Sequence, residues 1–413
     1  MIKKFFNFPN KYSFQDDLLA GITIGIVTIP QAMAFALLAG IPPIYGLYGS
    51  FIPLLIYGLL SSSNYLNVGP VSIISIFIFN VLSQNVEPFT TEYLNDLVIL
   101  GVMVGIIQLL FGVFGLGKYL KYIPLSIISG FIQAAAILII VSQLSTAFGI
   151  KFPVDGLKKI PYLFLNIHEL KLNTTLLFLI SLVFLFFFAK FSPRFPTSIS
   201  LVFVTGILSY LLDFEKYDLL LIGDVPKGLP AFIFPNFDID SIKYHPGAFV
   251  IAFIASIGSS IMALKLEPYQ PNKINLNREY ISLGIAKFLS SFFGSMLSAG
   301  SFNRTILAYK IGGKTQITGI VSSIIILLTI LYLTPVVYYF PQSVIAALII
   351  YSVYFLFDFN LMFKLWREDK VELSYIFITM TVTLLFGLVE GIFLGVLVKY
   401  LGDHFFKKKI NLS

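Results

Sequence analysis

The chain has 413 residues, of which 57% are hydrophobic and 12% charged, and its mean hydropathy is +0.89. Because an ordinary soluble domain is about one quarter charged, this composition excludes a soluble globular protein. The absence of cysteine excludes disulfides, thiol nucleophiles and thiolate metal sites. The net charge of +7 comes from short Lys and Arg clusters between apolar stretches, which is typical of membrane topology signals and not of a nucleic-acid surface.

Apolar stretches near the length of a membrane span recur along almost the whole chain. A transmembrane helix needs about 20 predominantly apolar residues. We therefore predict an all-α polytopic membrane protein with fourteen spans, divided seven plus seven at the polar stretch from Asp213 to Gly247. The predicted spans are residues 18–39, 43–60, 66–83, 96–114, 124–146, 173–190 and 196–213, then 247–266, 279–297, 302–311, 315–334, 340–357, 373–389 and 390–405.

The basic clusters predict the orientation of the chain. With the N-terminus in the cytoplasm, most loops on the inner side carry Lys or Arg, and the acidic loop around Glu87 lies outside. The loop from Lys151 to Lys171 disagrees, since its lysines would also lie outside. We expect both termini to be cytoplasmic, with residues 1–15 as an N-terminal segment and residues 406–413 as a short basic tail. The expected location is the plasma or inner membrane.

Two predicted spans are broken in the same way, each in third place in its half. The third opens with Asn67-Val68-Gly69-Pro70, and the tenth follows Ser298-Ala299-Gly300-Ser301 and is too short to cross. Non-helical backbone at membrane depth lines a cavity or is buried in protein, and paired broken helices mark transporter binding sites. Half-helices that begin after Pro70 and Ser301 would aim positive dipole ends at the midplane, which favours an anion.

Arg304 lies just inside the second half-helix, at the estimated centre of the membrane. An unpaired Arg there costs at least about 2.5 to 3.5 kcal/mol, so it needs a partner or a water-filled cavity. The partner is either a transported anion or a structural group, such as Glu390 or backbone carbonyls that join the two halves. The position at a helix start favours the anion.

Gln31 and Phe35 lie four residues apart in the first span and therefore share a helix face. An anion contact from Gln31 and a cavity wall from Phe35 explain the pair as well as ordinary helix packing does. From Phe249 to Leu266 the eighth span holds no Asp or Glu for a coupling ion. Glu267 follows at the predicted cytoplasmic end, where a solvated role is expected.

The residues that enzymes use are not grouped in this sequence. The three histidines, His168, His245 and His404, fall in predicted loops or the tail, far apart. A His-based metal cluster or catalytic triad is therefore excluded. No GxxxxGK[ST] phosphate loop is present. We predict no enzymatic activity, no cofactor and no metal.

Several stretches resemble the SulP family of anion transporters, which includes sulfate permeases, bicarbonate transporters, pendrin and prestin. The similarity runs in order from about Asp16 to Val398. It is carried by DLLAGITIGIVTIPQAMAFALLAGIPPIYGLYGS from Asp17, NVGPVSIISI from Asn67, IGDVPKGLPAF from Ile222, NLNREYISLGIAKFLSSFFGS from Asn275, SFNRTILAYKIGGKTQITGI from Ser301 and PQSVIAALII from Pro341.

The resemblance implies a fourteen-span inverted repeat of the uracil-transporter type over residues 16–405. A core domain (residues 16–114 and 247–334) would move against a gate domain (residues 124–213 and 340–405), and the chain would form a homodimer in lipid. The anion would lie between the half-helices of spans three and ten. The site positions that the resemblance implies are Gln31, Phe35, Val71, Ser72, Phe302, Asn303 and Arg304.

The sequence departs from the family pattern at two places. Coupled members carry an acidic residue in span eight, where this chain has Gly258 or Met262, so exchange or uniport is expected. The chain ends at Ser413, so no STAS domain is expected. The expected function is secondary-active, elevator-like transport of a small inorganic anion such as sulfate, bicarbonate or chloride. The alternatives are an anion channel or voltage-responsive protein of the prestin kind, and a nucleobase carrier on the same fold.

Overall fold

A computed structural model of the chain describes residues 14–117, 124–154, 156–191, 197–223, 225–236, 243–354, 357–386, 391 and 394–402. Sixteen α-helices and one pair of two-residue strands are assigned within these residues. The first half holds α1 (Phe14–Leu38), α2 (Pro43–Leu60), β1 (Val68–Gly69), α3 (Ser72–Leu82), α4 (Thr91–Val113), α5 (Leu125–Phe148), α6 (Lys159–Leu165), α7 (Leu172–Phe191) and α8 (Thr197–Leu212). The second half holds α9 (His245–Leu266), α10 (Leu276–Ser291), β2 (Ala299–Gly300), α11 (Phe302–Ile311), α12 (Ile317–Leu328), α13 (Thr334–Val337), α14 (Gln342–Tyr354), α15 (Phe359–Glu368) and α16 (Lys370–Phe386).

In the described part of the chain, six helices are long and apolar enough to cross a membrane. They are α1, α2, α4, α5, α9 and the stretch Ile317–Val337, in which a π-helical segment joins α12 to α13. Four of the remaining predicted spans correspond to the shorter apolar helices α3, α7, α8 and α14. The last predicted span, 390–405, is described only at residues 391 and 394–402. The count of fourteen spans and the inverted repeat therefore stay predictions.

The predicted ninth span differs from the structure at its C-terminal end. Residues 279–297 read as one apolar run, but α10 ends at Ser291. Gly294 has a left-handed backbone conformation, with φ of 64°, which ends the helix at a residue without a side chain to clash. Hydropathy measures the apolar character of this run and does not detect the turn.

The helix α15 also lies outside the predicted spans. It follows Asp358, whose Oδ1 accepts a hydrogen bond from the Leu361 N–H at 2.9 Å. All its residues are exposed or half-buried. The helix is too short and too polar to appear in a search for membrane spans.

The chain packs into two compact units. The first comprises the described residues within Met1–Lys118, Thr146–Gly149 and Lys171–Leu348, and the second comprises those within Tyr119–Ser145, Ile150–Leu170 and Ile349–Ser413. In the second unit, Lys399 and Glu372 form an ion pair.

Small residues allow close helix packing in the first unit. A Cβ added to Gly105 of α4 would lie 2.6 Å from the Phe288 nitrogen of α10, and one added to Gly284 would lie 2.6 Å from the Leu109 nitrogen. The backbones of α4 and α10 therefore approach as closely as in other membrane helix pairs with glycine at the contact. Gly21 and Gly25 of α1 permit the same approach to α12.

Two buried carboxylates fix helix ends in the first unit. Asp17, near the start of α1, is fully buried. Its Oδ1 accepts hydrogen bonds from the Lys314 N–H at 2.6 Å, the Thr315 N–H at 3.1 Å and the Thr318 hydroxyl at 2.8 Å. These donors lie at the N-terminus of α12, where backbone N–H groups have no helical acceptor and a negative charge is favoured.

Glu279 of α10 likewise fixes the C-terminal end of α2, by accepting hydrogen bonds from residues at and just after that end. Its Oε1 accepts from the Ser62 N–H at 2.6 Å, the Ser63 N–H at 3.0 Å and the Ser62 hydroxyl at 2.7 Å, while Oε2 accepts from the Tyr57 hydroxyl. The carboxylate is 1% exposed and fully hydrogen-bonded. Both acids are therefore structural, and their oxygens are already occupied by protein donors.

We expect Glu279→Ala to destabilise the fold by about 3 kcal/mol, because the donors on Tyr57, Ser62 and Ser63 would lose a charged acceptor. The midpoint of thermal unfolding in detergent measures this loss. Glu92→Ala, the same change at an exposed residue, is the matched control. Equal midpoints for the two variants would show that the Glu279 carboxylate does not hold α2 to α10.

Candidate functional site

The two strands meet where both broken helices begin. β1 and β2 pair antiparallel, with Val68 opposite Gly300 and Gly69 opposite Ala299. β1 leads into α3 and β2 leads into α11. Because the strands run in opposite directions, the two helices leave the pair in opposite directions, and their N-termini face the same central region.

The lengths of α3 and α11 suit half-helices. They have 11 and 10 residues, which correspond to about 15 Å each at a rise of about 1.5 Å per residue. This is about half of the roughly 30 Å hydrocarbon core. The predicted helix starts after Pro70 and Ser301 are confirmed, since α3 starts at Ser72 and α11 at Phe302. Their first turns supply backbone N–H groups without helical acceptors.

Arg304 joins the two breaks. Its side chain is 1% exposed; Nε donates to Asn67 Oδ1 at 3.1 Å and Nη2 donates to the Pro70 carbonyl at 3.0 Å. A hydrogen bond from Arg304 to a backbone carbonyl was one of the alternatives that the sequence left open, and it is present. Glu390, the other structural partner considered, lies outside the described residues.

Two donors at this junction have no acceptor among the described residues. They are Nη1 of Arg304 and Nδ2 of Asn67, both buried. A buried donor without a partner costs about 1 to 3 kcal/mol, and more when it is charged. Since these donors sit beside two helix N-termini, the junction favours binding of a negatively charged acceptor.

The site also depends on residues that the sequence analysis did not assign. The Asn67 N–H donates to the Thr305 hydroxyl at 3.0 Å, and the Gly300 N–H donates to the Ser259 hydroxyl of α9 at 2.8 Å. A Cβ on Gly69 would lie 2.9 Å from Arg304 Nη2, so glycine makes room for the guanidinium. One feature of the sequence could have identified Asn67: it is a polar amide immediately before a break in a predicted span.

The remaining predicted positions lie on elements around this junction. Gln31 and Phe35 belong to α1, which packs against both α3 and α11. Phe35 is buried, whereas Gln31 is half-buried and its side chain has no hydrogen-bond partner in the described part of the chain. Val71 is the N-cap residue of α3 and Ser72 its first residue, and both are half-buried.

Phe302 and Asn303 open α11 and are exposed, in contrast to Arg304. The Phe302 side chain is 49% exposed. The ammonium of Lys265, at the end of α9, lies 4.6 Å from the centre of its ring. A second cation therefore lies next to a predicted site residue.

The two positions considered for a span-eight acid differ in their surroundings. Met262 is 2% exposed and belongs to an apolar cluster with Leu54 and Tyr57. Gly258 is exposed, and a Cβ added there would meet no atom within 4 Å. A carboxylate would thus fit at position 258, and this chain has none there. No group of three or more His, Asp or Glu side chains that could hold a metal occurs in the residues that were described.

Comparisons with known proteins identify the family of the chain. The model of the sulfate permease family matches residues 14–380. The probable sulfate transporter 4.2 of Arabidopsis thaliana is 35% identical over 397 residues, covering 93% of this chain and 58% of the relative. The putative sulfate transporter YvdB of Bacillus subtilis is 28% identical, covering 95% of this chain and 74% of the relative. The chain thus spans a little over half the length of the plant relative.

Solved structures share the fold. Murine Solute Carrier 26 family member A9, an anion transporter in the inward-facing state, is 27% identical with a TM-score of 0.88, covering 96% of this chain and 69% of that one. The transmembrane domain of a cyanobacterium bicarbonate transporter, BicA, has a TM-score of 0.82 at 23% identity, covering 94% and 99% of the two chains. The family match covers far more than half of the sequence, and the chain belongs to the sulfate permease family.

Proposed function

We propose that the chain carries small inorganic anions, of the class of sulfate, bicarbonate and chloride, across a membrane as a secondary transporter. The observation that carries this proposal is the buried Arg304, whose Nη1 has no described partner, at the convergence of two helix N-termini. The similarity to sulfate transporters and to an anion transporter supports it.

Arg304 binds the anion through the donor that remains free. Nε and Nη2 are tied to Asn67 and Pro70, so the guanidinium is already oriented and loses little freedom on binding. Nη1, the Asn67 amide and the first N–H groups of α3 and α11 then surround the oxyanion. Val71, Ser72, Phe302 and Asn303 border this position, and Gln31 and Phe35 face it from α1. A polar and partly desolvated site of this kind favours anions over neutral solutes.

Transport proceeds by elevator-like alternating access. The core (residues 16–114 and 247–334) carries the anion past the gate (residues 124–213 and 340–405). The solved anion transporter in an inward-facing state supports a cycle with at least one state open to the inside. We place both termini in the cytoplasm and the protein in the plasma or inner membrane, as a homodimer.

The mode of transport is exchange or uniport. Gly258 leaves α9 without a carboxylate at the exposed position that would accept one. The buried acids Asp17 and Glu279 already accept hydrogen bonds from protein donors. A bound proton or sodium ion would therefore lack a free acidic ligand at these positions.

A voltage-responsive protein or anion channel is the second candidate. It is favoured by the similarity to Prestin of Danio rerio, which is 29% identical over 426 residues, covering 94% of this chain and 57% of the relative. A channel would pass more than about 10⁵ ions per second, whereas a carrier with a cycle of about a millisecond passes about 10³ ions per second. Single-channel recording in lipid bilayers separates the two.

Uptake into proteoliposomes tests the transport proposal directly. Radiolabelled sulfate, bicarbonate and chloride are supplied with a sodium gradient, a pH gradient or an internal counter-anion. We expect stimulation by the counter-anion or downhill uptake without any coupling ion. Stimulation by sodium or protons would mean that the coupling mode is wrong, and absence of uptake for every anion would contradict the proposed function.

We expect Arg304→Ala to lower anion uptake by roughly 10- to 100-fold with the fold retained, because one or two charged hydrogen bonds to the anion are lost. Arg367→Ala, at an exposed arginine of α15, is the matched control. Normal uptake by Arg304→Ala would contradict the assigned site. Unfolding of Arg304→Ala alone would instead identify Arg304 as a structural link between the halves.

We expect Gly69→Ala to weaken anion binding by about tenfold, since the added methyl would displace Nη2 of Arg304 from its position 2.9 Å away. The apparent KM for uptake measures this effect. Gly258→Ala is the control, because its methyl would meet no atom within 4 Å. Equal KM values for wild type and Gly69→Ala would show that the guanidinium position does not control affinity.

A further inference from the structure

Lys265 lies beside the candidate site and is not among the residues proposed above to bind the anion. Its ammonium is 4.6 Å from the ring centre of Phe302, within the roughly 6 Å range of cation–π contact. Lys265 is exposed, Phe302 is 49% exposed and Arg304 is 1% exposed. The exposed Lys265 thus contacts the first residue of α11, the helix whose third residue is the buried Arg304.

The direction of the Lys265 side chain is unusual for a lysine at the end of a membrane helix. Lys265 lies in the last turn of α9, and such lysines usually extend outwards to the polar interface. Here the ammonium lies over Phe302, the first residue of α11. The tilt of Cα–Cβ bonds toward the helix N-terminus favours this inward direction.

The exposed face of α9 that carries Lys265 has the properties of a cavity wall. Gly258, Ile261 and Lys265 follow the spacing i, i+3 and i+7, so they share one face, and all three are exposed. A charged side chain on a membrane helix faces protein or a water-filled cavity and avoids lipid. Lys265 therefore marks a face of α9 that avoids lipid, and its ammonium lies next to Phe302.

The charge of Lys265 is not neutralised by a nearby acid. None of the ion pairs in the described residues includes Lys265. Glu267, two residues further, instead accepts a hydrogen bond from the Ile274 N–H at 2.7 Å. The ammonium thus remains available to attract an anion that approaches Arg304.

We propose that Lys265 is a second anion-binding residue, which acts with Arg304 to give the site its preference for divalent over monovalent anions. This inference rests on the proposed function. The Coulomb energy between Lys265 and the bound anion is proportional to the charge of the anion. Removal of one cation therefore changes the logarithm of the affinity twice as much for a divalent anion as for a monovalent one.

The test compares sulfate with chloride uptake for Lys265→Met in proteoliposomes at low ionic strength. We expect the apparent KM to rise by about 5-fold for chloride and about 25-fold for sulfate, with little change in maximal rate. Both effects should shrink at physiological salt, where the Debye length is about 8 Å. Lys265→Arg keeps the charge and should restore both values. If Lys265 acts in packing alone, the change in apparent KM should not depend on the charge of the anion.

Lys310→Met is the matched control, because Lys310 is also an exposed lysine in the last turn of a membrane helix, α11. It should leave both KM values near those of wild type. Equal KM changes in the two lysine variants, or equal changes for sulfate and chloride, would overturn the proposal for Lys265. If Lys265→Met fails to reconstitute, Lys265→Gln provides the same comparison. Wild-type protein that takes up neither anion would contradict the proposed function and not this inference alone.

Discussion

Backbone that leaves a helix at membrane depth has to find its hydrogen bonds within the protein, and the whole site follows from how this chain meets that constraint. The two breaks satisfy each other: β1 pairs with β2, and the Asn67 carbonyl accepts from the Ser301 N–H at 2.9 Å. Arg304 closes the junction by bonding to the Pro70 carbonyl. Neither helix start is held without the other half of the chain, so the site forms only when both halves are packed.

The buried charged side chains of the first unit differ in how many of their hydrogen-bonding atoms have partners within the protein. Asp17 and Glu279 each accept several hydrogen bonds and leave little capacity for a further ligand. Lys287 is 1% exposed and donates to Gln108 Oε1 at 2.7 Å. Arg304 is equally buried but keeps one nitrogen without a described acceptor. This contrast, and not burial alone, distinguishes Arg304, the proposed binding group, from the other buried charges.

The starts of both half-helices could be predicted from the sequence, because Pro70 lacks an N–H and Ser301 is a typical N-cap residue. Arg304 could be singled out because a charge at membrane depth is costly. The hydrogen bonds of Arg304 to Asn67 and of Gly300 to Ser259 could not be predicted, since contacts between distant segments leave no local periodicity in the sequence. The inward direction of Lys265 likewise depends on where α11 lies. The positions of Val71, Ser72 and Asn303 in the site came from family resemblance.

The bonds of Asp17 also constrain how the protein is made. Its acceptor oxygens meet donors on Lys314 and Thr318, which lie 297 and 301 residues later in the chain. At a translation rate of about 5 to 20 residues per second, the first helix emerges roughly 15 to 60 seconds before those donors exist. During this interval the Asp17 carboxylate lacks these protein donors. The hydrogen bonds that join the start of α1 to the N-terminus of α12 therefore form only after α12 has been synthesised.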